Sequence, residues 1–553
     1  SIRLYVCVIS HVCERNFQIF IKEFKYTTHK MKVSFGFLLS SIVVISASTV
    51  SRQLLFIDNE DVLFTAGLSR KLKPLKRRID PVVVPEFDYE GLLAYNAVHF
   101  IDGEYRMWYQ SYSTSLDVTI CYATSSDGIH WTKPKVGLNG TNILVVNDGG
   151  LYLGDVLYDT REKNASRVYK MIVFDQKVIP GVTQYTVPGM YVLFSSDGIE
   201  WEKMASPALV AAYGGSPVTL PPFEDEDQEN YTSGPINNQW LTPLSMSDVM
   251  NIFYDTSSNE YVCFHKTWID GPSGENFWKR AVARSTSKDF VTWSRDRHLV
   301  LYPDEFDGPS TSYLPGVGNV GVELHGGPVF ETLSGDVQLM LLEILNWTST
   351  PNSGDLNCEL GVSRDKGKTW SRPFRKSQGY DYFFATNSRP GTFDSGTLWM
   401  SSSPVRVGNV TRIYYGAYSS WNVKLPCSNC TGIGVATMFE DRFAAITNTN
   451  SSFPGQLTTK PVSFQGICSM TANVDTSLGG TLQFEILNEY GYRVRGFDRS
   501  HHIPISNRTN DVAVNVEWVN ASISTLSNKN KYSVRVLFSK GQSQIYALSL
   551  ESC

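Results

Sequence analysis

The chain has 553 residues, 42% of them hydrophobic and 12% aromatic, with a formal net charge of -5 at pH 7. That length buries a large core and points to more than one domain, and the small net charge leaves no basic face for nucleic acid. The longest basic stretch, Lys73 to Arg78, is interrupted by Pro74 and Leu75 and reads as solvated surface.

In chain order, the first thirty residues make poor sense as part of a globular fold. Met31-Lys32, the apolar run Val33 to Ile45 and the small residues Ser46-Ala-Ser-Thr then follow the pattern of a secretory signal, too short to span a membrane comfortably. Residues 1–48 are therefore expected to be a leader, with the signal over 31–48, and no membrane span is expected in the mature chain. Nine N-x-Ser/Thr sequons, at Asn139, Asn164, Asn230, Asn346, Asn409, Asn429, Asn450, Asn507 and Asn520, agree with a secreted, extracellular glycoprotein.

From about residue 90 onward one unit recurs. Phe-free in its first copy, Cys121-Tyr-Ala-Thr-Ser-Ser-Asp-Gly-Ile-His-Trp131 returns as Phe194-Ser-Ser-Asp-Gly-Ile-Glu-Trp201, Arg284-Ser-Thr-Ser-Lys-Asp-Phe-Val-Thr-Trp293 and Val362-Ser-Arg-Asp-Lys-Gly-Lys-Thr-Trp370. Each reads as a strand entering a tight turn, where Asp accepts from backbone amides and Gly takes positive φ. The Trp residues stand 70, 92 and 77 positions apart, a period that means an array of similar sheets. Each period opens with an apolar or aromatic strand: Val98 to Tyr109, Val156 to Asp159, Asn251 to Asp255, Pro328 to Glu331 and, in a fifth period lacking the Trp corner, Thr397 to Met400. The expected fold is all-β, a five-bladed β-propeller over 55–455. Beyond it, Thr481–Leu487, Val512–Trp518, Tyr532–Phe538 and Ile545–Leu548 alternate with period two, and a C-terminal β-sandwich is expected over 456–553.

Seven cysteines follow the leader. Cys427-Ser-Asn-Cys430 is read as a local disulfide bond in preference to half a zinc site or a redox pair, since no second Cys or His pair stands at metal spacing. Cys121 and Cys263 lie inside apolar strands and read as buried small hydrophobes. The acidic stretch Pro221 to Asn230 is read as a solvated excursion, without the ordered oxygen ligands of a calcium loop. Neither a metal nor a cofactor is expected.

In such a propeller the first strand of every blade lines a central axis, so residues at those strand starts converge. Acidic residues stand there: Glu90, Asp155, Asp248, Glu323 and Asp394. A ring of carboxylates suits glycoside hydrolysis, in which one protonates the leaving oxygen while another attacks or activates water; the alternative is that these residues cap strand entries and hold turns. His325, in Glu323-Leu-His-Gly-Gly, is a candidate substrate contact, as is Asn96. Trp108, Tyr109, Tyr112, Trp268 and Trp399 are expected mainly in blade cores, with a few near the funnel stacking on sugar rings.

The pieces Tyr105-Arg-Met-Trp-Tyr-Gln, Cys121 to Pro134, Arg284 to Ser294 and Phe393-Asp-Ser-Gly resemble the five-bladed propeller proteins related to glycoside hydrolase families 32 and 43, as a divergent branch. That resemblance covers roughly residues 55 to 550 and implies a glycosidase acting on a carbohydrate substrate. It implies catalytic roles for Asp155, as the stabilising carboxylate, and Asp248, as the acid. The family's blade-one nucleophile falls on Ala94, so Glu90 supplies that carboxylate only from a shifted register. Asn96, Glu323, His325 and Asp394 become the substrate-binding set. The alternative on the same scaffold is a non-catalytic carbohydrate-binding or extracellular-matrix protein. The corner at Ser363 to Trp370 also looks like the Asp box of sialidases, which is a turn and not a catalytic motif.

Overall fold

The computed structural model describes residues 50–113, 117–147, 151–175, 189–210, 246, 248–269, 279–294, 298–307, 321–347, 354–375, 381–400 and 403–553. The expected signal segment, Asn230 and the acidic stretch 221–230 lie outside the described residues. The fold is all-β. Leu92–Ile101, Glu104–Tyr112, Val118–Ser125 and Ile143–Asn147 form a four-stranded antiparallel sheet in chain order. Its first hairpin turns on Asp102 and Gly103, both at positive φ, the backbone twist that a two-residue turn between twisted strands requires. A second group follows with Leu151–Tyr158, Tyr169–Asp175, Gly189–Ser195 and Glu202–Lys203, and a third with Met250–Asp255, Glu260–Ile269, Lys279–Ser287 and His298–Leu301.

The remaining propeller strands form two antiparallel groups that meet at one parallel pairing, Leu356 with Thr397. One contains Gly321–Gly326, Gln338–Trp347 and Gly354–Ser363. The other contains Thr397–Met400, Val410–Tyr418, Thr431–Phe439 and, on its outer edge, Lys76–Arg77. That last strand precedes the whole array in sequence, so the final sheet is closed by a segment that comes before its first strand. Nothing in the repeat pattern announced this, because two residues carry no periodicity.

The first strands of these groups pack side by side and return to the start: Leu92–Ile101 beside Leu151–Tyr158, that beside Met250–Asp255, then Val329–Glu331, then the group of Thr397–Met400, which again touches Leu92–Ile101. A first strand has one edge without a partner in its own sheet, and a buried N–H left there is costly. Side chains of the preceding group fill that need all the way round. Gln110 accepts from Leu153 N–H at 2.7 Å, Asp155 from Ile252 N–H at 3.1 Å and Asn251 from Val329 N–H at 2.7 Å. Glu343 accepts from Met400 N–H at 2.7 Å, and Thr431 from Leu93 N–H at 2.9 Å, which closes the circle. Five buried polar residues are thereby spent on closing the propeller.

The recurrent corners form as their sequence dictates. Asp127, Asp197, Asp289 and Asp365 each accept backbone amides of their own turn, and Ser125, Ser195, Ser287 and Ser363 brace each Asp. Each corner also docks on the preceding group: Tyr414 O–H donates to Gly128 O at 2.9 Å, Trp108 Nε1–H to Gly198 O at 2.7 Å, and Gly367 lies against Phe264. In the third corner the glycine is replaced by Phe290, held at φ 66° and fully buried among Phe194, Tyr261 and Trp293. The left-handed backbone costs a non-glycine residue about 1–2 kcal/mol, whereas losing a buried phenyl ring costs about 3–5 kcal/mol. Phe290→Gly is therefore expected to be destabilised by about 2–3 kcal/mol in denaturant titrations; a variant as stable as wild type would show that the ring contributes nothing beyond the strain it imposes.

Two further sheets pack face to face over a core that includes Leu457, Val474, Phe484, Trp518, Val536 and Leu548. One contains Leu68–Leu72, Ala444–Asn448, Gln542–Ser552, Ile467–Leu478 and Val514–Asn515, with Val50–Leu55 also paired to Gln542–Ser552. The other contains Val62–Ala66, Gly455–Thr459, Lys531–Phe538, Thr481–Leu487 and Ile505–Ser506. The strands Val62–Ala66, Leu68–Leu72 and Ala444–Asn448, which the sequence pattern assigned to the propeller span 55–455, thus pair in the sandwich sheets, as does Val50–Leu55. The expected strand Val512–Trp518 shortens to Val514–Asn515 at a sheet edge. Cys427–Cys430 and Cys468–Cys553 form disulfides, while Cys121, Cys263 and Cys358 are free and buried. No described helix is long and apolar enough to cross a membrane.

Candidate functional site

At the start of the first strands, side chains from every propeller group converge. Asp248, just before Met250–Asp255, forms an ion pair with Lys266 of the next strand. Arg280 pairs with Glu323, and His325 Nδ1 lies 2.8 Å from Glu343 Oε2. Glu323 and His325 both stand on Gly321–Gly326, where a bulge between Leu324 and Gly326 leaves His325 without a register partner, and both act on Lys266 electrostatically. The His325 ring meets Trp399 edge-on at 5.5 Å between centroids. Trp399 in turn contacts Tyr95 at 5.5 Å, and Tyr418 and Trp421 at 5.7 Å each. Tyr112 and Tyr152 extend this aromatic wall, 6.4 Å apart.

The electrostatics tie the two halves together. Burial pushes the Tyr95 phenol far up, and the carboxylates of Asp248 and Glu343 add to the push. Burial drives the Glu343 carboxyl well above the usual carboxylate range and His325 well below the usual imidazole range. Lys266 is lowered by burial, against the pull of Asp248. Asp248 and Arg280 reach solvent at 20% and 22% side-chain exposure, whereas Lys266, Glu323, His325 and Glu343 stand at 5% or less. The arrangement therefore offers a ligand two accessible charged groups of opposite sign, backed by buried partners, against a wall of Tyr and Trp faces. Carboxylates suit proton transfer, and aromatic faces suit the apolar faces of sugar rings.

The residues singled out from sequence divide sharply. Asp248, Glu323 and His325 belong to this cluster. Glu90 does not: it is buried in a turn, accepting from Glu86 N–H at 2.8 Å, Tyr109 O–H at 2.5 Å and Lys133 Nζ at 2.7 Å. Asp155 sits further along the axis and joins neighbouring first strands, accepting from Val156 N–H at 2.8 Å, Asn251 Nδ2 at 2.6 Å and Ile252 N–H. It also borders a cavity of about 340 Å³ with His99, Tyr254 and Arg406. Asp394 is fully buried against Arg77, 3.1 Å away, and Tyr415, fastening the outer strand of the last sheet. Asn96 is buried within Leu92–Ile101, opposite Tyr109 in register.

Lys266, Arg280 and Glu343 escaped the sequence reading, as did the placement of Tyr95, Tyr418 and Trp421. The signal for Glu343 was present: a lone carboxylate inside Leu339-Met-Leu-Leu-Glu-Ile-Leu345 is expensive to bury without a task. Lys266 stands likewise in the middle of Tyr261-Val-Cys-Phe-His-Lys-Thr-Trp268. Among the described residues no group of three or more His, Cys, Asp or Glu is placed to hold a metal ion.

No family model matches the chain, and no curated protein matches it. Solved structures do. One described as a glycoside hydrolase is 15% identical, with 67% of this chain covering 94% of that one at a TM-score of 0.43. A second comes from work on the GH130 family of mannoside phosphorylases, said to contain glycoside hydrolases that target β-1,2 mannosidic linkages in Candida mannan; it is 15% identical over 68% of this chain and 97% of that one, at a TM-score of 0.39. A third, an N-acetylgalactosamine deacetylase from F. plautii in complex with blood group B trisaccharide, is 15% identical over 68% and 96%, at a TM-score of 0.40.

Proposed function

We propose that the chain is a secreted, carbohydrate-active protein, a divergent relative of the glycoside hydrolase family 32 and 43 propellers, whose five-bladed wheel carries a glycan-binding funnel that cleaves glycosidic bonds. The observation that carries this reading is the opposition of Asp248 and Glu323, each beside a cation, to the aromatic wall around Trp399. Asp248, the more accessible carboxylate, exchanges a proton with the leaving oxygen or the attacking water. Glu323, buried beside Arg280, acts from behind it, holding the guanidinium in place toward the ligand and adding negative charge at longer range to the site where positive charge develops on the sugar ring. Trp399 and Trp421 supply the stacking surface.

A second reading, glycan binding without turnover, is favoured by a specific feature. The position aligned with the family's blade-one nucleophile is Ala94, whose carbonyl presses so closely on Gly416 that a Cβ built there would lie 2.0 Å from it. Screening the purified chain against aryl glycosides and polysaccharides, in parallel with a glycan array, separates the two. Turnover is expected, with the same sugars retained on the array. Retention without turnover leaves the binding reading, and the absence of both turnover and retention overturns both readings.

A further inference from the structure

Glu343 is the most deeply buried carboxylate of the funnel and takes no direct part in the proposed chemistry. Its Oε1 accepts from Met400 N–H at 2.7 Å, joining two propeller groups, and its Oε2 faces His325 Nδ1 at 2.8 Å. Among the described residues Nε2 of His325 has no hydrogen-bond partner, and the ring is fixed edge-on against Trp399. We propose that Glu343 is a positioning residue that holds His325 in the form whose Nε2–H donates to a ligand oxygen in the funnel. This rests on the glycan-binding reading for the identity of the ligand, and not for the state of the ring.

The proton count supports it. Oε1 is already an acceptor, and the short Oε2–Nδ1 contact contains one proton whichever way the pair titrates, so the state of Nε2 depends on whether the fully buried pair also holds a second one. If the contact proton sits on Glu343, the neutral imidazole carries its own hydrogen on Nε2; if it sits on Nδ1, the imidazolium still carries one there. With both protons on the pair Nε2 is a donor in either arrangement. Only when the pair loses one of them does Nδ1–H turn toward an ionised Glu343 and leave Nε2 as a bare acceptor. Burial raises Glu343 and lowers His325, which places the proton on the carboxyl. The charged and titratable groups facing the pair are Asp248, Lys266 and Arg280 around His325, and Lys266, Asp248, Cys358 and Tyr95 around Glu343. A positioning group of this kind fixes which nitrogen a ligand meets, as partners of catalytic imidazoles generally do.

The test uses full-length chain labelled with 15N at histidine, with the ring signals of His325 assigned by their loss in His325→Gln. In wild type, Nε2–H is expected at neutral pH, giving way to Nδ1–H as the pH rises. Glu343→Gln presents an amide N–H to Nδ1 and its carbonyl to Met400, so Nε2–H should persist across the whole range. Glu343→Leu should lose the fixed tautomer. Wild type with Nδ1–H at neutral pH overturns the proposal, as does an alkaline transition that survives in Glu343→Gln; that second comparison stands even if Glu343→Leu does not fold. D-Glucose, D-mannose, D-galactose and D-xylose then serve as ligand probes. At least one should shift the Nε2–H signal, with affinity kept in Glu343→Gln and weakened about tenfold in Glu343→Leu, the size of one lost hydrogen bond. If none of the four perturbs a ring that does hold Nε2–H, the ligand half of the proposal fails together with the glycan reading, while the tautomer result alone upholds the positioning role.

Discussion

Asp248→Asn should lower turnover of any glycoside the chain cleaves by about 100-fold or more, the usual loss when one charged group is removed from a transition state. The amide keeps the size of the side chain and still accepts from Lys266, so substrate stacking on Trp399 and Trp421 is left in place. Rate and affinity should therefore separate, with kcat falling and KM changing little. Removing the charge also leaves Lys266, only 5% exposed, without its counter-ion. Its ammonium, already lowered by burial, should drop further, and Lys266→Met in the same background should restore stability without restoring rate. Undiminished kcat in Asp248→Asn would remove Asp248 from the chemistry and move the acid–base role to Glu323.

The same residue shows how far sequence carries in a fold of this kind. The corners around Asp127, Asp197, Asp289 and Asp365 were legible because their chemistry is local: a turn satisfies its own amides, so the pattern repeats wherever the turn does. Asp248, Glu323 and His325 were legible because strand starts converge on an axis. The same rule also selected Asp155, Glu90 and Asp394, and nothing local distinguishes an acid facing a ligand from one facing a backbone amide of the next sheet. That distinction depends on partners 19 to 97 residues apart, such as Tyr109 for Glu90 or Ile252 for Asp155. The closing strand Lys76–Arg77 and the entry of residues 50–72 into the C-terminal sheets were hidden for a related reason. Edge strands are recruited by the unpaired edge they cover, and their own sequence need show little.

Asp155→Ala is expected to destabilise the fold by about 3–5 kcal/mol, because three buried N–H donors lose their acceptor at once and each costs about 1–3 kcal/mol when left unpaired. Two of them, Asn251 Nδ2 and Ile252 N–H, belong to the next propeller group, and Asn251 passes the tie onward to Val329. The loss should therefore loosen the ring across three groups, with faster hydrogen exchange at Ile252 and Val329. The charge adds a pH signature. Burial pushes the Asp155 carboxyl up to about 8, against the three donors that favour its ionised form, while the unfolded chain titrates near the ordinary value of about 4. Between those values the folded protein retains a proton that the unfolded chain has released, so this group's contribution is complete below about pH 4 and is lost as the pH rises through about 8. Wild type should accordingly lose stability on going from pH 5 to pH 8 more steeply than Asp155→Ala, by up to about 1.4 kcal/mol per pH unit. Parallel denaturation curves for the two proteins across that range would show that Asp155 is ionised throughout and acts through its hydrogen bonds alone; an Asp155→Ala protein as stable as wild type would end its role as the brace between first strands.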